Sequence, residues 1–181
     1  MNSERFRPGK LDPSFLAALL ARNRIGDPRV LLGPGVGRDA AVLDMGGGRC
    51  LVAKTDPITF ATAEIGWYAV QVNANDVAAA GARPRWFLAS VLLPDTGTTR
   101  ELVETIHDDI LRACRELEIE LVGGHTEITA GLDRPIVVGQ MLGEADRDRL
   151  VTPSGARPGD AVLLTKRIAV EGTAILGHEF G

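Results

Sequence analysis

Aromatic residues are scarce in this sequence: Phe, Trp and Tyr make up 4% of its 181 residues. A core must therefore be built from Val, Leu, Ile and Ala, and an apolar content of 45% permits one. Cysteine is scarcer still. Cys50 and Cys114 are the only two and show no Cys-x2-Cys spacing, which excludes a cysteine metal cluster. Cys114 falls on an apolar stripe with Leu102, Ile106, Ile110 and Leu117, so it reads as a small buried hydrophobe; Cys50 opens a strand and reads the same way. The chain has no run of about 18 apolar residues and no charged-then-apolar N-terminal signal, so a soluble, cytoplasmic protein without a membrane partner is expected. It also lacks a basic stripe interleaved with aromatics. With a net charge of −4, that excludes nucleic acid as a partner.

What is present is an alternation of short apolar runs with glycine-rich punctuation. Residues 1 to 11 are polar and expected to be loosely ordered. Asp12-Pro13 forms an N-cap and first-turn proline for a helix running to about Arg24, with Phe15, Leu16, Leu19 and Leu20 buried. Val30-Leu31-Leu32 is a short strand, and Gly33 to Gly37 a loop that no regular element tolerates. Strands at about Ala40–Asp44 and Cys50–Thr55 flank a Gly46-Gly47-Gly48 turn, a hairpin pattern. A helix over Ile65–Ala80 follows, then a strand over Trp86–Leu93. An amphipathic helix spans Thr99–Glu118, with His107 on its exposed side. Leu121-Val122 is a strand leading into a Gly123-Gly124 turn, and Ile136–Leu142 a further strand. Residues 1–29 thus form an N-terminal segment and helix, 30–145 the main domain, and 146–159 a Pro- and Gly-containing linker. Residues 160–181 hold a strand at Ala161–Thr165 and a helix from about Val170. That is too little to bury a core of its own, so this part is expected to be the truncated start of a second domain. Gly155-Ala156-Arg157-Pro158 repeats the letters of Gly81-Ala82-Arg83-Pro84, but no acid stands five residues before it, and it reads as a turn.

Asp76 is the anomaly. From Val72 to Ala82 its neighbours are apolar or glycine, apart from Asn73 and Asn75. A carboxylate so placed loses hydration, a cost of several kcal/mol unless a cation compensates. Gly81 then serves as a helix C-cap, and Pro84 prevents the helix from resuming. Asp39 follows a glycine loop and Asp56 ends a strand. Three acids near the ends of neighbouring elements suit Mg2+, which takes carboxylate and phosphate oxygens. Strand alternation puts Lys54 and Asp56 on one face and Thr55 on the other. Lys54 can offset phosphate charge or be a solvated strand-end lysine. Asp39 and Asp56 taken singly can also be simple turn or cap residues.

The spacing Asp76-x4-Gly81-Ala82-x-Pro84 resembles the ATP-binding signature of the aminoimidazole ribonucleotide synthetase (PurM-like, AIR synthase-related) superfamily. That group includes the synthetase, thiamin-monophosphate kinase, selenophosphate synthetase and the hydrogenase maturation protein HypE. Three further blocks stand in the family's order: Gly37-Arg38-Asp39-Ala40-Ala41-Val42, Thr55-Asp56, and Gly123-Gly124-His125-Thr126. The resemblance covers roughly residues 30 to 145. It implies an α+β two-layer sandwich, a mixed β-sheet with helices on one face, and a homodimer joined through the sheets with ATP near the interface. It implies ATP and Mg2+ as cofactors and phosphoryl transfer from ATP, in several members to an amide- or carbonyl-type oxygen that is then expelled.

Residue by residue, the resemblance makes Asp39, Asp56 and Asp76 metal ligands. Gly37, Thr55, Asn75, Gly81, Gly124 and Thr126 join them in the nucleotide site. Arg38 stands where the family usually has a first acid, which removes one possible metal ligand and adds a positive charge. His125 stands where thiamin-monophosphate kinase carries Asp and the synthetase Glu, somewhat as in selenophosphate synthetase. Imidazole is a poor Mg2+ ligand and suits proton transfer or a phosphate contact, so His125 and Lys54 are the catalytic candidates, with Glu127 as an alternative acid. A turn histidine bonded to backbone is the competing reading of His125. His107 and His178 are given no role.

Residues 1 to 49 contain no cysteine of the selenophosphate synthetase kind, and the last three residues, Glu179-Phe180-Gly181, include no terminal HypE cysteine. The nearest look is to HypE-like, AIR synthase-related proteins of unassigned substrate, which implies ATP and an unidentified small-molecule or protein-terminal substrate as partners. A thiamin-monophosphate kinase-like phosphotransferase, a non-catalytic nucleotide-binding or dimerisation module left by truncation, and a purely structural oligomerisation domain are the alternatives.

Overall fold

The computed structural model describes residues 6–61 and 63–180. The first five residues of the N-terminal segment and the side chain of His178 lie outside the described residues. Six strands are present: Val30–Leu32 (β1), Ala41–Gly46 (β2), Arg49–Ile58 (β3), Arg83–Pro94 (β4), Glu120–Thr129 (β5) and Ile136–Asp146 (β6). The helices are Pro13–Leu20 (α1), Ile65–Ala79 (α2), Arg100–Glu116 (α3) and Val170–Phe180 (α4). The strands make one mixed sheet in the order β1-β2-β3-β6-β4-β5. β6 runs antiparallel to both β3 and β4, and β5 parallel to β4. Two crossovers, β3–α2–β4 and β4–α3–β5, pack α2 and α3 against each other and the sheet. The α+β fold, a mixed sheet with helices on one face, is the one the sequence led us to expect.

Strand alternation decides what the two faces are made of. Along β6, Val137, Met141 and Ala145 are buried, whereas Ile136, Val138, Gln140, Leu142 and Glu144 are half-exposed. In β4 the buried positions Phe87, Ala89, Val91 and Leu93 alternate with half-exposed Trp86, Leu88, Ser90 and Leu92. The buried set meets Ile65, Ala69, Val70 and Val77 of α2 and Ile106, Ile110, Ala113 and Cys114 of α3. The other face keeps its apolar residues half-open.

α2 sits unusually close to the sheet because β6 is glycine where the helix crosses it. A Cβ at Gly139 would lie 2.3 Å from Nδ2 of Asn73, and one at Gly143 2.4 Å from Val77 Cγ1. α2 ends as its sequence requires. Gly81 adopts φ +79°, its N–H donates to the Ala78 carbonyl (2.9 Å), and the Ala82 N–H donates to Val77 (3.2 Å). That is a Schellman closure.

The structure corrects four sequence expectations. α1 has the Asp12 cap, whose Oδ1 accepts from the Ser14 and Phe15 amides, but it stops at Leu20 rather than Arg24. Its apolar face is only partly covered: Phe15 and Leu19 are exposed, Leu16 and Leu20 half-buried, and the Phe15 ring lies 5.1 Å from that of Phe6. Gly123-Gly124 is not a turn. β5 runs straight through it, paired with β4 across a register shift between Phe87 and Leu88. Gly124 serves close strand approach instead, since a Cβ there would lie 2.0 Å from the Ala89 carbonyl oxygen. Ala161–Thr165 forms no strand; Val162 is 97% exposed and Leu163 and Leu164 are exposed beside it. A strand needs a hydrogen-bonded neighbour, and this segment has none among the described residues. The first part of the segment read as a linker is held to the domain. Val151 N–H donates to the Ala80 carbonyl (3.0 Å), and Arg147 pairs with Asp44 at 2.6 Å.

Candidate functional site

Lys54 and Asp56 point to the helix side of β3, as period-2 alternation demands, and meet Asp76 on α2. Lys54 Nζ lies 2.7 Å from Asp76 Oδ2 and 3.2 Å from Asp56 Oδ2. The lysine side chain is only 7% exposed, which rules out the solvated strand-end lysine. Burial by itself would lower the ammonium's pKa. Hydrogen bonds to Asp76 and Asp56, and the charges of both, outweigh that and hold it above the ordinary lysine value. Asp76 stands near the carboxyl end of α2, where the helix dipole is negative and a carboxylate is disfavoured without a cation.

The position of Asp56 is fixed from two sides. Thr55 Oγ1 donates to the Gly139 carbonyl across the strand pair (2.9 Å), on the register row where Asp56 opposes Gly139. From the helix, Asn73 Nδ2 donates to the Asp56 carbonyl (3.3 Å) and to the Ala69 carbonyl (2.8 Å). Asn73 is fully buried, and its Oδ1 has no hydrogen-bond partner among the described residues. Sequence reasoning noted Asn73 only as a break in an apolar run. Its signal was a polar residue three positions before Asp76, hence on the same helix face. Asn75, the amide singled out from the sequence, is exposed instead.

Asp39 reaches the same neighbourhood from the loop before β2. A cleft of about 180 Å³ is lined by Arg38, Asp39, Asp76, Ala79 and Ala80, and closed by Val151, Thr152 and Pro153. Gly37 adopts φ +77° at the base of this loop, and Arg38 folds back so that its Nη1 donates to the Gly33 carbonyl (3.4 Å). Gly81 lies against the segment that closes the cleft; a Cβ there would stand 2.3 Å from the Arg149 carbonyl oxygen. A second cleft of about 310 Å³ adjoins Asp56 and is lined by Lys10, Phe60, Tyr68 and Val72.

Gly124, His125 and Thr126 are not part of that cluster. The register row Asp56–Gly139–Ala89–Gly124 crosses three strand spacings, about 14 Å at ~4.8 Å each. These residues line a separate cleft of about 420 Å³ between β5 and α3, together with His107, which sequence reasoning left without a role. The His125 ring is hydrogen-bonded to Glu127 Oε2 at 2.9 Å. That bond, with the one from Thr129, holds the Glu127 carboxyl below its ordinary range. His125 is thus bonded to a side chain, not to backbone.

Among the described residues, no group of three or more His, Cys, Asp or Glu side chains gathers closely enough to hold a metal ion by itself. The hard oxygens of Asp56 and Asp76 nevertheless converge on one cation, and Mg2+ typically needs only one or two protein carboxylates besides phosphate and water. The donor set fits that ion. No helix among the described residues is long and apolar enough to cross a membrane.

Comparison with known proteins identifies the family and the fold. The profile described as AIR synthase related protein, N-terminal domain, matches residues 37–145. Carbamoyl dehydratase HypE of Cupriavidus necator is 33% identical over 147 residues, which cover 77% of this chain and 42% of that protein. Thiamine-monophosphate kinase of Escherichia coli is 28% identical over 163 residues, covering 82% and 47%. The chain thus spans less than half the length of these curated relatives. Among solved structures, hydrogenase maturation protein HypE in complex with ATP superposes with a TM-score of 0.53 at 29% identity, over 74% of this chain and 40% of that one.

Proposed function

The chain belongs to the AIR synthase related protein family, and on that premise we propose that it carries the nucleotide-binding half of an ATP- and Mg2+-dependent enzyme. The reaction assigned to the complete enzyme is transfer of the γ-phosphoryl group of ATP to an acceptor oxygen, either as the end product or to activate that oxygen for expulsion. The bond from the γ-phosphorus to the bridging oxygen of ADP breaks as the bond to the acceptor forms. The observation that carries this reading is the convergence of Asp56 and Asp76 on one buried cation beside a glycine loop.

Asp56 and Asp76 would hold the Mg2+, with Asp39 adding its carboxylate from the loop. When bound, the ion supplies charge neutralisation for the phosphate oxygens. Arg38 faces the same cleft and offers a fixed positive charge for phosphate. Gly37 lets the loop backbone approach the ligand, and Gly81 lets residues 149–151 close the cleft behind it. Thr55 and Asn73 keep Asp56 in register. The His125–Glu127 pair, on β5 three strands along the sheet from β3, is assigned to proton handling at the acceptor rather than to the metal. The half-open sheet face is assigned to a second copy of the chain. The exposed apolar run Val162–Leu164 is assigned to a second domain. The similarity to thiamine-monophosphate kinase keeps a plain phosphotransferase within this reading.

The test is calorimetric titration of ATP with and without Mg2+, on the native sequence and on Asp76→Ala. At least tenfold weaker MgATP binding by the variant is expected, about 1.4 kcal/mol. Equal binding would remove Asp76 from the site. Binding without turnover on any acceptor would favour the non-catalytic module.

A further inference from the structure

Lys54 occupies a position that the chemistry of the site assigns to something else. Its Nζ is the point on which Asp56 Oδ2 and Asp76 Oδ2 converge, at 3.2 and 2.7 Å. The carboxylates arrive from different elements, β3 and α2, and without a shared cation their like charges would drive them apart. Asp76 additionally faces the negative end of its own helix. Lys54 is almost wholly buried, so water does not replace it as the counter-charge. It is anchored too: the strand register pairs it with Met141, which is fully buried.

We propose that Lys54 is a tethered cation standing in for the divalent ion: it holds Asp56 and Asp76 together while the site is empty, and it yields that point when metal and nucleotide arrive together. The inference rests on the proposed function, in which these two carboxylates take the metal. An ammonium at 2.7 Å and a metal ion bound at about 2.1 Å cannot share one point between two carboxylates. Free metal must therefore displace the lysine, and a displaced ammonium in a buried site needs a new counter-charge. Nucleotide phosphate supplies one, because Asp76, the ion-pair partner of Lys54, lines the cleft together with Arg38. Metal alone and nucleotide alone each leave a charge uncompensated, whereas together they leave none. The site is thereby made to discriminate against bare divalent cations and to favour the metal–nucleotide complex.

The experiment measures Mn2+ binding by electron paramagnetic resonance, with and without a non-hydrolysable ATP analogue, on the native sequence, Lys54→Met and Lys54→Arg. The native protein should bind free Mn2+ weakly and gain strongly when the analogue is added. Lys54→Met should bind free Mn2+ about tenfold or more tightly than the native protein and lose most of the gain from the analogue. Lys54→Arg, which keeps the charge, should stay near the native value. If Lys54→Met does not fold, Lys54→Gln is measured with the same expected sign, and a Mn2+-induced rise in melting temperature larger than in the native protein provides a second readout. Free-Mn2+ affinity that is unchanged or weaker in these neutral variants, while all proteins still bind the Mn2+–analogue complex, overturns the inference and leaves the proposed function standing. No Mn2+ binding by any protein, with or without the analogue, overturns both.

Discussion

A single acid in an apolar helix is costly enough to demand a partner, and Asp76 has one in Lys54. Asn73, one turn earlier, is costly in a different way: a buried amide oxygen without a partner among the described residues costs ~1–3 kcal/mol. The same side chain anchors the Asp56 carbonyl, so the unpaired oxygen accompanies a contact that positions the site. The two cysteines are the residues whose chemistry the fold silences. Burial on the α3 stripe pushes the Cys114 thiol from 9.0 up to about 11, and burial raises that of Cys50 as well. A raised acid means that the fold favours the protonated thiol. The stability this contributes is complete below pH 9 and is lost as pH rises through about 11. Native protein treated with iodoacetamide at about pH 8 should be labelled at neither cysteine, and unfolded protein at both. Rapid native labelling of Cys114 would contradict its place in the core. Its burial was legible from helical spacing alone, because a stripe repeating every three or four residues can face only one way.

At the scale of elements, the turn after α2 links stability to the site. Gly81 has φ +79°, and its hydrogen atom faces the Arg149 carbonyl oxygen. Gly131 has a similar φ of +82° but open space around it. Alanine at either position pays left-handed strain of about 1 kcal/mol. Only at position 81 must the 149–151 segment also move, so Gly81→Ala should cost about 2 kcal/mol or more in denaturant unfolding and weaken MgATP binding, while Gly131→Ala loses about 1 kcal/mol and leaves binding unchanged. Equal effects on binding would separate the closing segment from the site. Elements framed by strong local signals were readable in the sequence: the Asp12-Pro13 cap, the Gly46-Gly47-Gly48 hairpin, the Gly81 cap and the amphipathic α3. The passage through Gly123-Gly124 was not, because glycine in a strand reports a close backbone approach only once the neighbouring strand is in place. Nor was the isolation of Ala161–Thr165, whose composition says strand but whose pairing depends on a neighbour.

For the whole molecule, the half-open sheet face is the main unsatisfied surface. Trp86 opposes Leu142 and Leu88 opposes Gln140 in adjacent strands, with Val138 and Ile136 continuing the patch. On the proposed assignment of this face to a second copy, the half-exposed apolar side chains are the ones a partner sheet would cover. Light scattering should give about twice the 19.3 kDa chain mass. The double variant Leu88→Glu/Leu142→Glu should run as a folded monomer with native circular dichroism. A monomeric native protein would leave the face to another partner.

The sequence by itself determined the α+β class, the family, the placement of Lys54 and Asp56 on one strand face and the oddness of Asp76, because each depends on local period, local caps or spacing along one element. Only the tertiary structure decided that Lys54 lies between Asp56 and Asp76, that Asn73 rather than Asn75 is the buried amide, and that His125 stands on a strand three positions along the sheet from the one that carries Asp56. Those relations depend on β6 entering between β3 and β4. That strand arrives last in the sheet's chain order, and no window of sequence around the earlier residues contains it.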